Sequence, residues 1–252
     1  MLRDGSGKVM FGIDFARLDA GSALDRIEEL AGSEPPVFVV YANAHTANLA
    51  HADPSYRVVL DHADLVLNDG KGVMMGAVIL GAPFPQDLNG NYFTPLLLSR
   101  AAEKGWSVFF YGARPGVAER AAAELRREIP GLEIVGVRDG FSPAGNTEEL
   151  LQAIRDSGAA LLLVGLGNPR QEVWLDRYLD KTGARVGAGV GAFFDFQARA
   201  IPRAPGWMNR TGLEWLYRLV LEPARLWRRY VVGNPAFLWR ALRERWSAKG
   251  DR

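Results

Sequence analysis

Residues 161–174 read LLLVGLGNPRQEVW, and this stretch decides the fold. Its Leu- and Val-rich start has the unbroken apolar character of a strand buried on both faces. The run ends in Gly165, Gly167 and Asn168, residue types that tolerate the positive φ angles of a tight turn. Pro169 suits the first turn of a helix, where its missing N–H would have had no partner. Arg170, Gln171 and Glu172 then fall on that first turn. In an open α/β sheet, ligands bind in the crevice beyond the carboxyl ends of the strands. Free backbone N–H groups, a guanidinium and an amide placed there suit an anion or a sugar. The spacing fits an ordinary strand–turn–helix corner equally well, and does not by itself separate the two.

The same alternation continues on both sides. Val9–Phe15 is a short apolar segment and Ala20–Ala31 a helix. Pro36–Ala42 (PVFVVYA) reads as a buried strand running into Asn43, with a helical stretch after it. Ala63–Leu67 is a strand broken by Asn68-Asp69-Gly70. Helices follow at Gly72–Leu80 and Phe93–Lys104, separated by a loop from Gly81 to Gly90. Ser107–Tyr111 is a strand ending at Gly112, Val117–Glu128 a helix, Leu132–Val137 a strand and Thr147–Ser157 a helix. Beyond the opening stretch, Val173–Lys181 continues as helix and Ala184–Val190 leads into GAFFD, residues 191–195. Strands alternating with helices predict an α/β fold, a mostly parallel sheet with helices on both faces. From about Gly212 to Trp246 the pattern is helical, with interruptions expected at Pro223 and Pro235.

The chain has 252 residues, 48% of them hydrophobic and 23% charged, which is ordinary for a globular protein with a sizeable core. It has no cysteine, which excludes a disulfide framework and thiolate metal sites and fits a reducing compartment. No apolar run is long enough for a membrane span, and the N-terminus lacks the apolar centre of a signal peptide. The net charge of +1 hides an asymmetry. Residues 203–252 carry 11 Lys and Arg against four acids, a balance of +7, while residues 1–202 carry 19 basic and 25 acidic side chains, a balance of −6. Trp207, Trp215, Trp227, Trp239 and Trp246, five of the seven tryptophans, lie in the same tail. Arg and Trp together are what an anionic membrane interface selects, although a nucleic-acid groove or a partner protein would suit them too. We therefore divide the chain into a core, 1–202, and a basic, Trp-rich helical appendage, 203–252.

Several strands end in small or polar residues, and one carboxylate stands out among them. Asp69 follows the apolar run Leu65-Val66-Leu67 and precedes Gly70, so it is expected to point into the crevice. A lone carboxylate there can act as a general base toward a hydroxyl, although Asn-Asp-Gly is also a favoured turn tripeptide. No dinucleotide GxGxxG, Walker loop or Asp-x-Asp occurs. His45, His51 and His62 are scattered, which reads as helix-surface or loop positions and gives no metal site.

Taken together, Asn43, Asp69-Gly70, Gly90, the run Val164–Glu172, the run Gly189–Asp195, Arg203-Ala204-Pro205 and Gly212–Arg218 resemble the WecG/TagA/CpsF glycosyltransferases, glycosyltransferase family 26. The resemblance covers about Gly12 to Tyr230. It implies a Rossmann-like core with a C-terminal appendage, and transfer of a sugar from a UDP-sugar donor to a polyprenyl-diphosphate-linked saccharide. The implied transfer inverts the anomeric centre and uses neither metal nor other cofactor. Carried over by position, Asp69 is the base on the acceptor hydroxyl, and Asn43 and Gln171 line the sugar site. Asp195 lies toward the nucleotide, and Arg218 and Arg225 close over the site and stabilise the diphosphate. Gly112, Asn168 and Arg170 are further substrate-binding candidates at the strand ends.

Two positions depart from the family pattern. Tyr41 stands where the family usually has Thr, and Asp87 where it usually has Arg. We count both among the substrate-binding positions. The charge reversal at Asp87 argues against an acidic or N-acetylmannosamine-type sugar and favours a neutral hexose donor, or a different acceptor. The resemblance further implies a cytoplasmic protein held peripherally on the inner face of the cell membrane, with no nucleic-acid partner and self-association left open. Two alternatives compete with this reading. A catalytically inactive nucleotide-sugar-binding relative is kept in view by Tyr41 and Asp87 and opposed by Asp69 and Gln171. A nucleotide-dependent oxidoreductase is opposed by the missing dinucleotide fingerprint.

Overall fold

The opening stretch folds as its sequence implies, strand then turn then helix, inside an α/β domain. In a computed structural model, which describes residues 8–32, 34–141, 147–202, 205, 208 and 214–250, the elements are β1 (Lys8–Met10), β2 (Ile13–Phe15), α1 (Ala20–Ala31), β3 (Val37–Ala42), α2 (Ala44–Ala52), α3 (Pro54–Asp61), β4 (Leu65–Asn68), α4 (Lys71–Ile79), α5 (Gly90–Glu103), β5 (Val108–Gly112), α6 (Val117–Glu128), β6 (Ile134–Arg138), α7 (Thr147–Ser157), β7 (Leu161–Gly165), α8 (Arg170–Tyr178), β8 (Val186–Gly189) and α9 (Phe193–Gln197). The tail adds helices Glu214–Leu221, Pro223–Trp227 and Asn234–Gly250.

Six strands form one sheet in the order β4-β3-β8-β7-β5-β6, and every neighbouring pair is parallel. Successive side chains on a strand point to opposite faces. Val39 and Tyr41 of β3 and Leu161 and Leu163 of β7 therefore enter one core, against α1, α5 and α6. Val40, Leu162 and Val164 enter the other, against α2, α3 and α8. Both faces are covered, which is why these strands read as continuous apolar runs with no alternation. The architecture is Rossmann-like, and all carboxyl ends of the parallel strands open on one edge.

Close backbone approach shapes that edge. Gly112, at φ +131, ends β5 against Gly165 at the end of β7; a Cβ at Gly112 would lie 2.5 Å from the Gly165 carbonyl. No other residue fits there, because any side chain would force the two strand ends apart.

Two expectations are corrected. Val9–Phe15 is not one segment but a β1–β2 antiparallel hairpin, turned at Phe11 and Gly12, both at positive φ. Pro235 does not interrupt the tail. It sits at the second position of the helix Asn234–Gly250, and the preceding stretch Arg228–Gly233 is π-helical. A wider turn removes the i→i−4 bond that a proline could not have completed, so the chain continues helically through it. That last helix is seated on the body of the protein. Phe237 is fully buried among residues of the second core, and its ring lies where a Cβ on Gly76 would be, at 2.7 Å. Asn48 on α2 donates to the Gly233 carbonyl at 2.8 Å, and Arg245 donates to the carbonyl of Ile79 at the end of α4.

Candidate active site

A cavity of about 980 Å³ opens at the carboxyl ends of β3, β4, β5, β7 and β8, and the tail walls one side of it with Trp215, Arg218, Arg228, Arg229 and Tyr230. This is the position that the topology of an open parallel sheet reserves for a ligand.

Asp69 lies in this wall, one residue beyond β4. Its backbone N–H continues the sheet pairing to Ala42 O at 3.0 Å. Asn43 Nδ2 donates to Asp69 Oδ2 at 3.0 Å, and the Gly90 N–H donates to Oδ1 at 3.3 Å. Asn43 is itself held. As N-cap of α2 its Oδ1 accepts from the N–H groups of His45 and Thr46 at 3.0 and 3.2 Å, and the Thr46 hydroxyl accepts from the Asn43 N–H in a capping box. Its carbonyl oxygen serves the helix, so its NH₂ must face the carboxylate.

Asp87 is brought beside Asp69 by the loop between α4 and α5. Asn68, fully buried, donates to Gln86 O at 2.8 Å and accepts the Leu88 N–H at 3.1 Å. Asp87 then accepts from the Gly70 N–H at 2.8 Å and pairs with Lys71 at 3.6 Å. Burial, reinforced by the neighbouring Asp69 charge, pushes its carboxyl above the ordinary value. Tyr41 is almost fully buried in the same wall. Its ring lies under Gly90 and edge-on to Phe93, and its hydroxyl is 3.4 Å from that of Thr94. Burial pushes the phenol well above its usual range.

The floor after β7 differs from what its glycines suggest. The N–H groups of Gly167 and Gly191 are not free for a ligand: both donate to Gln171 Oε1, at 3.0 and 2.9 Å. Gln171 thus ties the turn after β7 to the turn after β8. Its Nε2 donates to Glu172 Oε1 at 2.7 Å, as does Asn168 Nδ2, and the Tyr56 hydroxyl donates to Oε2 at 3.1 Å. Glu172 has no exposed surface, and burial pushes its carboxyl up to about 7 against the pull of these donors. Asn168, Arg170 and Gln171 all line the cavity.

Cations gather around the same space. Arg114, Arg170, Arg218, Arg228 and Arg229 line it. Arg218 lies over the Phe196 ring, 5.0 Å from its centroid, and its Nε is buried without a hydrogen-bond partner among the described residues. Asp195 lines the cavity from α9. The structure therefore brings together Tyr41, Asn43, Asp69, Asp87, Asn168, Arg170, Gln171, Asp195 and Arg218. Gly112 lies behind the lining, against Gly165. Arg225 falls on the helix Pro223–Trp227, but its side chain lies outside the described residues.

Sequence reasoning missed Arg228, Arg229 and His45. The scattered His pattern places His45 on a helix surface or loop, yet it lines the cavity. Burial first, and then the Arg229 charge, lower it to about 4, so its imidazole is neutral at physiological pH. The signal available was its place two residues after Asn43, at a helix start beyond a strand. Among the described residues, no group of three or more His, Cys, Asp and Glu side chains converges.

The chain belongs to the WecG/TagA/CpsF family of glycosyl transferases, whose family model matches residues 8–251. It is a glycosyltransferase. One relative, from Bacillus spizizenii strain W23, is 36% identical over 213 residues, covering 84% of this chain and 81% of the relative. Another, from Bacillus subtilis strain 168, is 30% identical over 207 residues, covering 82% and 79%. Both relatives bear the name N-acetylglucosaminyldiphosphoundecaprenol N-acetyl-beta-D-mannosaminyltransferase.

Proposed function

We propose that this protein transfers N-acetylmannosamine, or a closely similar neutral sugar, from a UDP-sugar to a saccharide carried on polyprenyl diphosphate. The relatives' names supply the sugar and the acceptor class, and on their strength the neutral hexose that Asp87 suggested is set aside. The observation that carries the mechanism is Asp69, a carboxylate held by Asn43 and Gly90 in the same cavity as the tail arginines. Asp69 takes the proton from the acceptor hydroxyl as that oxygen attacks the anomeric carbon. Attack from the face opposite the diphosphate inverts the anomeric centre, and UDP leaves as the glycosidic bond forms. Charge developing on UDP falls to guanidinium groups, Arg218 with Arg228 and Arg229, and Arg225 joins them in this reading. No divalent ion enters the scheme. Asn43 and Asp87 bound the sugar end, with Tyr41 packed behind them, and Asp195 lies toward the nucleotide.

The tail also serves as the membrane contact in this reading. Trp215, Trp227, Trp239 and Trp246 are exposed, as are Val220, Val231 and Val232. Exposed indoles beside arginines suit an interface of anionic headgroups. No helix among the described residues is long and apolar enough to cross a membrane. In this reading the association is peripheral, on the cytoplasmic face where a nucleotide sugar is available. Co-sedimentation with vesicles of phosphatidylglycerol and phosphatidylcholine at low and high salt tests this part: no binding at low salt overturns it.

Transfer is tested with purified protein, a panel of UDP-sugars and a short-chain polyprenyl-diphosphate N-acetylglucosamine acceptor, following both UDP release and the lengthened lipid-linked product. UDP-N-acetylmannosamine is expected to be the best donor. UDP release without lengthened product, or no release from any donor, overturns the reading.

A further inference from the structure

Glu172 takes no part in the mechanism above, yet it is a fully buried carboxyl directly under the cavity floor. An ionised carboxylate only accepts hydrogen bonds. Three donors converge on this one: the Tyr56 hydroxyl, Asn168 Nδ2 and Gln171 Nε2. Side-chain amides are ambiguous when their surroundings offer both donors and acceptors. Against the ionised carboxylate, which prevails above about pH 7, the surroundings offer a single solution. Flipping Asn168 would set its carbonyl oxygen against Glu172 Oε1 in place of the present 2.7 Å hydrogen bond. Flipping Gln171 would do the same, and would also turn NH₂ toward the N–H groups of Gly167 and Gly191.

Asn168 Nδ2 also lies 3.5 Å from the Thr46 hydroxyl, on the α2 side of the wall. With its NH₂ turned inward, Asn168 has its carbonyl oxygen Oδ1 left for the cavity it lines. We propose that Glu172 is a positioning residue that fixes the amide sense of Asn168, so that Asn168 Oδ1 accepts a hydrogen bond from the bound sugar. The donor on the sugar is an acetamido N–H or a ring hydroxyl. A UDP molecule without sugar has no group there, so the contact discriminates sugar nucleotide from nucleotide. This inference rests on the UDP-sugar reading given above.

The raised carboxyl of Glu172 shows what burial costs it. A hydrophobic residue would fill this space without that penalty, but would leave both amides free to turn. The carboxylate exchanges stability for orientation. Its influence also reaches the other side of the cavity, since Thr46 and Asn43 continue the polar contacts to Asp69.

The test is calorimetric binding of UDP-N-acetylmannosamine and of UDP to the full chain at pH 8. Glu172→Leu fills the space but removes the acceptor that holds both amides, so both are free to turn. Its Kd for UDP-N-acetylmannosamine is expected to rise about tenfold, the size of one lost hydrogen bond, with the Kd for UDP changed less than threefold. Glu172→Gln is the control: its carbonyl oxygen can still accept both amides while its NH₂ donates to the Tyr56 hydroxyl, and it should bind both ligands like wild type. Asn168→Ala removes the acceptor itself and should show the same selective loss; it decides the matter should Glu172→Leu fail to fold. Equal weakening of both ligands in Glu172→Leu and Asn168→Ala reduces Glu172 to a packing role and overturns the inference, as does no change in either. Wild-type protein that binds neither ligand overturns the UDP-sugar reading itself, and the role of Asn168 with it.

Discussion

The Asn43 amide donates to Asp69 Oδ2 at 3.0 Å, across the gap between the end of β3 and the end of β4. The two strands are neighbours in register, with Ala42 opposite Asn68, so the next residue of each is carried to the same height at the sheet edge. Because the Asn43 carbonyl oxygen is committed to the N-terminus of α2, its NH₂ cannot rotate away. The carboxylate is therefore oriented before any substrate arrives, and in the proposed mechanism its remaining lone pairs receive the proton of an acceptor hydroxyl.

Asp69→Asn keeps shape and removes basicity. Turnover is expected to fall about 10²- to 10⁴-fold, the usual contribution of a general base, while Kd for UDP stays within threefold of wild type. Steady-state transfer assays and UDP calorimetry check both parts. Turnover within threefold of wild type would remove Asp69 from the mechanism.

Activity is expected to persist in excess EDTA, because guanidinium groups take the place of a cation at the diphosphate in this reading. Loss on chelation that returns on adding Mg²⁺ or Mn²⁺ would refute the metal-free scheme.

Arg218 lies over Phe196, with its Nε buried and unpaired among the described residues. Arg218→Lys keeps the charge but loses the planar fork, and is expected to lower kcat about 10- to 100-fold with a small change in KM. A drop confined to KM would make Arg218 a ground-state contact and not a stabiliser of the departing UDP.

Glu172 gives a pH dependence whose sign is fixed. Its carboxyl is raised from 4.5 to about 7 in the folded state. The folded protein therefore holds this proton more tightly than the unfolded chain does. The stability so gained is complete below about pH 4.5 and is lost as pH rises through 7, by roughly 3 kcal/mol. Urea unfolding of wild type and Glu172→Gln at pH 5 and pH 8.5 isolates this contribution. The wild-type curve should fall more steeply with pH than that of the variant, and parallel curves would show that Glu172 titrates normally.

Phe237→Ala should destabilise the whole domain by about 3–5 kcal/mol, as truncation of a fully buried aromatic does. Gly76→Ala should act in the same direction, since its methyl meets the Phe237 ring at 2.7 Å. Cooperative urea unfolding is the measurement. A variant as stable as wild type would mean that the last helix is dispensable to the fold.

Much of the fold was legible because both-sided burial writes itself into sequence as short apolar runs ended by Gly, Asn or Asp. Leu161–Gly165 and Val37–Ala42 are such runs, and both are central strands. What sequence hid was of two kinds. Local rules cannot see a compensating change of helical pitch, so Pro235 read as a break although the π-helical stretch before it absorbs the missing bond. Nor does spacing say which donors are already taken. The turn at Gly167 reads as offering open N–H groups, whereas Gln171, well placed by sequence, accepts from Gly167 and also from Gly191. His45, Arg228 and Arg229 were missed because their contribution depends on packing of α2 and the tail around a shared space, which no periodicity records.

The seating of Phe237 in the core has a consequence for how the tail arginines reach the cavity. Arg218, Arg228 and Arg229 stand on the described stretch 214–250, which Phe237 anchors in the core, so they are not carried on a free arm. A group tethered in this way meets its target at an effective concentration set by chain geometry, on the order of millimolar or above for short spans, however dilute the protein is. Arg218, Arg228 and Arg229 therefore belong permanently to the molecule they serve. Specific activity should stay constant on dilution, and unlike an arginine lent by a second protein, these residues need no encounter before the reaction begins.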